Sequence, residues 1–241
     1  MADRDERRAP VLPGAAVTDY ERYLRTDELL SLQKTAAEVV HRDEHLFQAV
    51  HQSSELWLKL ACLEIEAATS VIDADKAAGA TRLVRRASDA MLLLTNQLGM
   101  LEHMSPCDYA IVRTALGHGA GFDSPGFRRV HKVSPMLGVA FEGLLTRAGL
   151  TLLEVYERGH DLDDVYQLAE QMMTWDERTI VWRFQHLKTV ERIIGGNVIG
   201  TQGTPVDVLG KRIDVRFFPD LWLLRDEITR RSALGTDGHG R

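Results

Sequence analysis

The 241-residue sequence has few cysteines, no long apolar run and no excess of positive charge, and each of these features excludes a class of protein. Its two cysteines, Cys62 and Cys107, are far apart and fit no metal-binding or redox spacing, so we expect a reducing, cytoplasmic location. No apolar run approaches the roughly 20 residues that a membrane helix needs. The net charge of −6 gives no electrostatic basis for binding nucleic acid.

The remaining composition is that of an ordinary globular protein, with 44% hydrophobic and 27% charged residues. The segment from Met1 to Pro13 is charged, contains proline and lacks the apolar stretch of a signal peptide, which predicts a flexible arm. We expect an arm over residues 1–18, a single all-α domain over 19–232 and a frayed tail over 233–241.

Helical periodicity dominates the chain and strand signals are sparse, so the sequence predicts an all-α fold. The predicted helices cover about 19–40, 43–72, 77–103, 105–116, 136–148, 162–173, 176–194 and 219–230. Two glycine-rich loops, 117–126 and 195–210, would allow a ligand to approach the backbone closely. Neither loop has the spacing of a P-loop or a dinucleotide-binding motif.

The helix predicted over 176–194 places an imidazole on an apolar stripe. On a 3.6-residue period His186 shares a face with Trp182, Thr189 and Ile193, and Gly195 ends the helix. Two interpretations remain open at this point. His186 is either a core histidine that is satisfied by a hydrogen bond, or a haem ligand offered from a rigid, dry wall.

Two further pairs could contribute chemistry. Phe47 and His51 are four residues apart and therefore share a helix face, where a packed phenylalanine and a surface histidine are the structural alternative. Arg113 follows Tyr109 by four residues, just before the first glycine-rich loop. Its guanidinium could hold a carboxylate by two-point contact, although a surface ion pair is the commoner fate of an arginine.

Four blocks of sequence carry a resemblance to a known family. They are Tyr20-Glu21-Arg22-Tyr23-Leu24, Asp43-Glu44-His45-Leu46-Phe47, His51-Gln52-Ser53-Ser54-Glu55-Leu56-Trp57-Leu58-Lys59 and Trp182-Arg183-Phe184-Gln185-His186. With Ser105-Pro106-Cys107-Asp108-Tyr109, their order and spacing resemble tryptophan 2,3-dioxygenase over most of the chain from Tyr20 to about Asp226.

The resemblance implies a haem-binding catalytic domain between helices and a role for each matching residue. His186 would be the axial ligand of a haem b iron, and His51 the distal histidine near the indole nitrogen. Phe47 would pack against the indole ring. These roles agree with the chemistry of an imidazole for iron and an aromatic ring for an indole.

The resemblance also implies how the amino-acid end of the substrate is held. Arg113 would bind the carboxylate, with Tyr109 beside it, and Thr201 would hold the ammonium group through its hydroxyl. The family is a homotetramer with intertwined N-termini, so Tyr20 would reach the pocket of a neighbouring subunit. The implied partners are a tryptophan-like amino acid, O2 and further copies of the chain, with no membrane or nucleic acid.

Several positions depart from the pattern of the family. Ala120, beside Gly121 in the substrate-contacting first loop, replaces a common serine, and Leu98 replaces a tryptophan expected near the haem. The second loop reads Gly200-Thr201-Gln202-Gly203-Thr204-Pro205, and the segment before Trp182 is shorter by some tens of residues. These changes favour a divergent member with a related substrate or a different oxidation outcome.

The sequence therefore predicts a haem-dependent oxygenase that oxidises the indole C2–C3 bond of L-tryptophan or a substituted, for example methylated, tryptophan. Within the same superfamily, a monooxygenase that forms a 2-oxindole is the nearest alternative. A haem sensor without turnover and a helical interaction module without a cofactor are two alternatives of other classes.

Overall fold

The structure of the chain, a computed structural model, describes residues 9–198, 207–210 and 213–236. Within these ranges the regular elements are helical and no β-strand occurs, which confirms the predicted all-α class. The α-helices are α1 (Asp19–Leu24), α2 (Thr26–Leu30), α3 (Glu44–Asp73), α4 (Ala77–Leu101), α5 (Pro106–Arg113), α6 (Pro125–Ala148), α7 (Leu152–Glu157), α8 (Asp163–Ile194), α9 (Asp207–Gly210) and α10 (Pro219–Thr236). In this part of the chain no helix combines the length and the apolarity needed to cross a membrane.

Four long helices, α3, α4, α6 and α8, form the main core. Helix α3 packs against α4 and α6, and α4 packs against α8. Leu58, Met91 and Leu137 are fully buried between them, so their apolar surface is removed from water. Trp175 of α8 is also fully buried, and its Nε1–H donates to Ser134 Oγ of α6 at 3.0 Å. This bundle supports α3 and α8, the two helices that carry the predicted histidines.

The boundaries of α3, α4 and α5 agree with the sequence prediction to within a few residues. Each has an uninterrupted amphipathic pattern. Ser105 caps α5: its hydroxyl accepts a hydrogen bond from the Asp108 backbone N–H at 3.1 Å, and Pro106 occupies the first helical position. The cap satisfies a donor that the helix itself leaves unpaired, and proline has no donor to satisfy.

The prediction of one helix from about residue 19 to 40 is wrong. Helix α1 stops before Arg25, whose left-handed φ of 53° interrupts the helix, and α2 ends at Leu30. The chain that follows α2 is held against the start of α3, where the Glu44 carboxylate accepts from the Val40 backbone N–H at 2.9 Å. Neither α1 nor α2 has a buried residue, so no packed face stabilises a continuous helix.

Helices α6 and α8 are both longer than predicted. Helix α6 begins at Pro125 instead of near residue 136, because the Ser124 hydroxyl caps it by accepting from the Phe127 backbone N–H at 3.1 Å. The stretches predicted as two helices over 162–173 and 176–194 form the single helix α8. No glycine or proline separates them, and Trp175 at the supposed break is packed in the core. Helices α7 and α9 were not predicted.

A buried carboxylate joins α8 to the start of α10. Asp176 is fully buried, and its oxygens accept from the backbone N–H groups of Phe217 at 3.0 Å and Phe218 at 3.3 Å. Its Oδ2 also accepts from Trp222 Nε1 at 2.9 Å. Several donors therefore offset the cost of removing this charge from water.

We expect the Asp176→Ala substitution to lower the free energy of unfolding by roughly 3 kcal/mol, because it leaves buried donors without an acceptor. Asp89→Ala is the matched control, since Asp89 of α4 forms an exposed ion pair with Arg178, which lies on α8 as Asp176 does. An exposed pair contributes about 0–1 kcal/mol. Urea denaturation measures both changes, and equal losses for the two variants would contradict the role of Asp176.

Candidate functional site

A second apolar cluster lies at one end of the bundle, where α3, α4, α5 and α8 meet. Its buried members are Val50, Leu98, Leu101 and Ile193, and partly buried Leu46, Phe47, Tyr109, Trp182 and Ile194 pack against it. Leu98, the residue that replaces an expected tryptophan, is thus part of a packed wall. We call Phe47, His51, Tyr109, Gly121, Trp182 and His186, which gather here, the histidine site.

His186 lies in the C-terminal part of α8 with its ring against Trp182. The two rings are stacked, with centroids 4.8 Å apart and an angle of 11° between their planes. Burial, and to a smaller extent the charge of the nearby His51, lower the pKa of His186 to about 4. At pH 7 the imidazole is therefore neutral, which is the form that binds a metal ion.

His51 faces the same site from α3. Its Nδ1 lies 2.7 Å from the Phe47 backbone oxygen. Because a carbonyl oxygen only accepts, Nδ1 carries the hydrogen and Nε2 of the neutral ring is left as an acceptor. Surrounding protein lowers the pKa of His51, while this hydrogen bond and the charge of Glu55 oppose the change. His51 also keeps solvent-accessible surface, so the protein does not enclose it.

Phe47 joins His51 to α5. Its ring stacks on His51 with centroids 3.9 Å apart, and lies 6.1 Å from the ring of Tyr109. Burial raises the pKa of the Tyr109 hydroxyl, and the positive charge of Arg113 opposes that change. Arg113 is half-buried at the last position of α5. The structure therefore brings an aromatic surface and a guanidinium to the same region as the two histidines.

The first glycine-rich loop closes the site over His186. A Cβ atom added to Gly121 would lie 4.0 Å from both Nε2 and Cε1 of His186. Gly121 begins a short 3-10 turn that ends at Asp123, whose carboxylate accepts from the Ala120 backbone N–H at 3.0 Å. Gly121 thus lies beside the imidazole, in a compact turn that Ala120 precedes.

One predicted site residue, Tyr20, is not part of this cluster. It lies on α1 and is 69% exposed. Thr201, in the second glycine-rich loop, lies outside the described residues. The structure assembles the predicted set from Phe47, His51, Tyr109, Ala120, Gly121 and His186, with Arg113 close to Tyr109.

Sequence reasoning did not predict the residues that hold the first loop in place. Glu55 of α3 accepts hydrogen bonds from the Ser124 hydroxyl and from the Gly126 backbone N–H. The ring of Phe127 stacks on Trp182 with centroids 3.9 Å apart. A signal was available, because Ser124-Pro125 repeats the Ser-Pro pattern that correctly predicts the start of α5.

The residues present fit a haem. His186 supplies a neutral imidazole, and Gly121, which has no side chain, lies beside its Nε2. Trp182 Nε1 is buried and has no hydrogen-bond partner in the described part of the chain. The surrounding wall is apolar. A flat, largely apolar group with one metal coordination position suits this arrangement.

These features define an all-α protein that presents two histidines from different helices to one apolar site. Comparison with known proteins identifies the family. The family model for tryptophan 2,3-dioxygenase matches residues 8–143. The tryptophan 2,3-dioxygenases of Serratia proteamaculans and Myxococcus xanthus are each 31% identical to this chain, and that of Caulobacter vibrioides is 34% identical. The chain belongs to the tryptophan 2,3-dioxygenase family.

The extent of these matches shows what the chain shares and what it lacks. The alignments cover 90%, 95% and 87% of this chain and 98%, 96% and 98% of the respective relatives. The one with the Myxococcus protein extends past His186, which the family model does not reach. The Serratia alignment spans 274 positions but contains only 90% of this 241-residue chain. The remaining positions are gaps in this chain, and the relative therefore has several tens of residues that this chain lacks. Membership confirms the prediction of an oxygenase-family enzyme.

Proposed function

We propose that this chain is a haem-dependent oxygenase that uses O2 to oxidise the indole C2–C3 bond of L-tryptophan or of a substituted tryptophan. The observation that carries the proposal is the meeting of His186 and His51 at one apolar site, with Phe47 stacked on one of them, in a chain of this family. The relatives compared above are named tryptophan 2,3-dioxygenases.

His186 is the residue that would hold a haem b iron. Its ring is neutral, and stacking on Trp182 fixes its orientation within α8. The bound haem supplies the activation of O2, which no amino-acid side chain can provide. The contribution of the chain is to hold the imidazole still and to keep an apolar wall around the reacting groups.

The other residues of the site would bind and orient the substrate. The Nε2 acceptor of His51 suits the indole N–H, and Phe47 offers a face for the ring to pack against. Arg113 would pair with the carboxylate, and Thr201 would hold the ammonium group. Holding both ends of the amino acid places the C2–C3 bond reproducibly, which is the main contribution of binding to such a reaction.

Tryptophan-dependent oxygen uptake tests this function. We expect the purified chain to show a Soret band and to consume O2 when L-tryptophan is added. A Soret band without uptake would indicate a haem sensor. The absence of haem binding would indicate a helical interaction module, in which both histidines are structural.

The N-terminal part would complete the site of a neighbouring subunit in a homotetramer. In the domain organisation that we propose, an arm over 1–18 precedes the catalytic domain over 19–232, and 233–241 form a tail. Helices α1 and α2 bury none of their own residues. Tyr20, Tyr23 and Leu30 are 69%, 77% and 71% exposed, and such an apolar surface is typical of a subunit interface.

We expect sedimentation to show a tetramer, and we expect Tyr20→Ala to raise KM for tryptophan by about tenfold through the loss of an aromatic contact. Mixed tetramers of Tyr20→Ala and His186→Ala subunits should recover activity at low tryptophan, because one subunit supplies the tyrosine and another the histidine. A fully active monomer, or no recovery in the mixed tetramers, would contradict the shared site.

A further inference from the structure

A carboxylate of α3 holds the first turn of α6. The Ser124 hydroxyl donates to Glu55 Oε1, and the Gly126 backbone N–H donates to Glu55 Oε2 at 3.0 Å. Pro125 has no N–H, and the Phe127 N–H donates to Ser124 Oγ. Glu55 thus accepts from the Gly126 N–H, a donor that the helix itself leaves unpaired, and its negative charge lies at the positive end of the α6 dipole.

Gly126 allows this contact because it has no side chain. A Cβ atom at this position would lie 2.7 Å from Glu55 Oε2 and 2.7 Å from Leu58 Cβ. The second of these atoms is next to the backbone of α3 and cannot move aside cheaply. Helix α6 therefore begins in direct contact with α3, and any side chain larger than hydrogen would separate them.

The contact between Glu55 and the start of α6 is continuous with both histidines. Glu55 lies one turn after His51 on α3. On the other side, the Ser124 N–H donates to the Gly121 oxygen at 3.3 Å, and Gly121 is the residue that lies against His186. Phe127, three residues after Ser124, stacks on Trp182, which stacks on the imidazole of His186.

We propose that Glu55 is a positioning residue that, through Ser124 and Gly126, sets the spacing between the face of α3 that carries His51 and the turn over His186. This inference rests on the proposed function for its effect on substrate, but the structural contact can be tested without turnover. Glu55 holds the two walls of the site at a fixed separation and makes no contact with the reacting atoms itself.

Three variants and one control separate this role from general stabilisation. Glu55→Ala removes both acceptors, Glu55→Gln keeps the shape with one acceptor, and Gly126→Ala keeps the carboxylate but forces it away. The control is Glu66→Ala, since Glu66 also joins α3 to α6, through Arg129 at 3.1 and 2.7 Å. That contact lies about three helical turns further along α3, away from the histidine site.

The first measurement is amide hydrogen exchange on the full-length chain. Glu55→Ala and Gly126→Ala should accelerate exchange in the segment 117–127 by about tenfold, because they remove a charge-assisted hydrogen bond at its end. The exchange rate of this segment in Glu55→Gln should lie between the rates of those two variants and that of the wild type. In Glu66→Ala the rate should stay within about twofold of the wild type. Acceleration spread evenly over the chain, or an equal effect of Glu66→Ala, would overturn the proposal.

The second measurement is made on the haem-loaded enzyme. Glu55→Ala should shift the Soret band and raise KM for tryptophan by about tenfold with a smaller fall in kcat, because misplaced walls weaken binding before they affect the reaction. Glu55→Gln should partly restore both. An unchanged KM and Soret band in Glu55→Ala would overturn the proposal. If the wild-type chain binds haem but does not oxidise tryptophan, the proposed function fails, whereas the exchange pattern and the Soret shift still decide the role of Glu55.

Discussion

Replacing His186 with alanine is expected to abolish stoichiometric haem binding and, with it, oxygen uptake. The imidazole is neutral at pH 7, with a pKa lowered to about 4, and is fixed against Trp182 in the C-terminal part of a long helix. A haem held through one protein ligand loses its main attachment when that ligand is removed. The Soret absorbance per chain after reconstitution measures the loss, and circular dichroism confirms that the variant folds.

The matched control for this variant is His51→Ala. The two histidines face the same site, but only His186 is proposed to hold the iron. His51→Ala should therefore keep its haem while losing much of its activity, since the acceptor for the indole N–H is gone. Full haem content and an unaltered Soret band in His186→Ala would show that the ligand has been assigned to the wrong residue.

Arg113→Ala is expected to weaken the binding of amino-acid substrates selectively. A buried carboxylate that loses its guanidinium partner costs about 2–5 kcal/mol. KM for tryptophan should consequently rise at least tenfold, a lower bound that allows for partial exposure of the half-buried site. KM for tryptophan in Arg113→Lys should lie between the values for the alanine variant and the wild type, because lysine keeps the charge but loses the two-point geometry.

Plain indoles provide the internal control for Arg113, because they have no carboxylate. Their binding to Arg113→Ala, measured as a change in the haem spectrum, should match their binding to the wild type. An equal loss of affinity for tryptophan and for indole would show that Arg113 supports the fold of α5 and the adjoining Tyr109 instead of binding the carboxylate.

The parts of the fold that the sequence predicts well are those in which one amphipathic face is buried. The boundaries of α3 and α4 follow directly from their apolar periodicity, because the apolar face of each helix packs in the main core. The same reasoning fails for α1 and α2, which bury nothing within a single chain. Leu30 and other apolar residues of this segment are exposed, so their spacing alone does not stabilise a long helix.

The site was predictable to the extent that helical spacing determines it. Phe47 and His51 lie on one face because they are four residues apart, and the same rule pairs Trp182 with His186. The meeting of α3 with α8 depends on long-range packing, which the spacing within each helix does not contain. The contact between Glu55 and Gly126 joins residues 71 positions apart, and only the structure reveals it.

The departures from the family pattern bear on the choice of substrate. Ala120 lacks a hydroxyl next to Gly121, which lies beside His186, and we expect this change to leave room for a methyl group on the substrate. We therefore expect the enzyme to accept methylated tryptophan as well as tryptophan. Relative values of kcat/KM for the two substrates measure this breadth, and Ala120→Ser should lower the value for the methylated one. An unchanged ratio would show that Ala120 does not control the choice of substrate.

The central claim is that this chain oxidises the indole ring with oxygen taken from O2. It is tested most directly by mass spectrometry of the product that the haem-loaded chain forms from L-tryptophan under isotopically labelled O2. We predict ring-opened N-formylkynurenine that carries two labelled oxygen atoms. A single labelled atom in an intact ring would identify a 2-oxindole-forming monooxygenase and contradict cleavage of the C2–C3 bond. Unchanged tryptophan in the presence of bound haem and O2 would contradict the proposed function altogether.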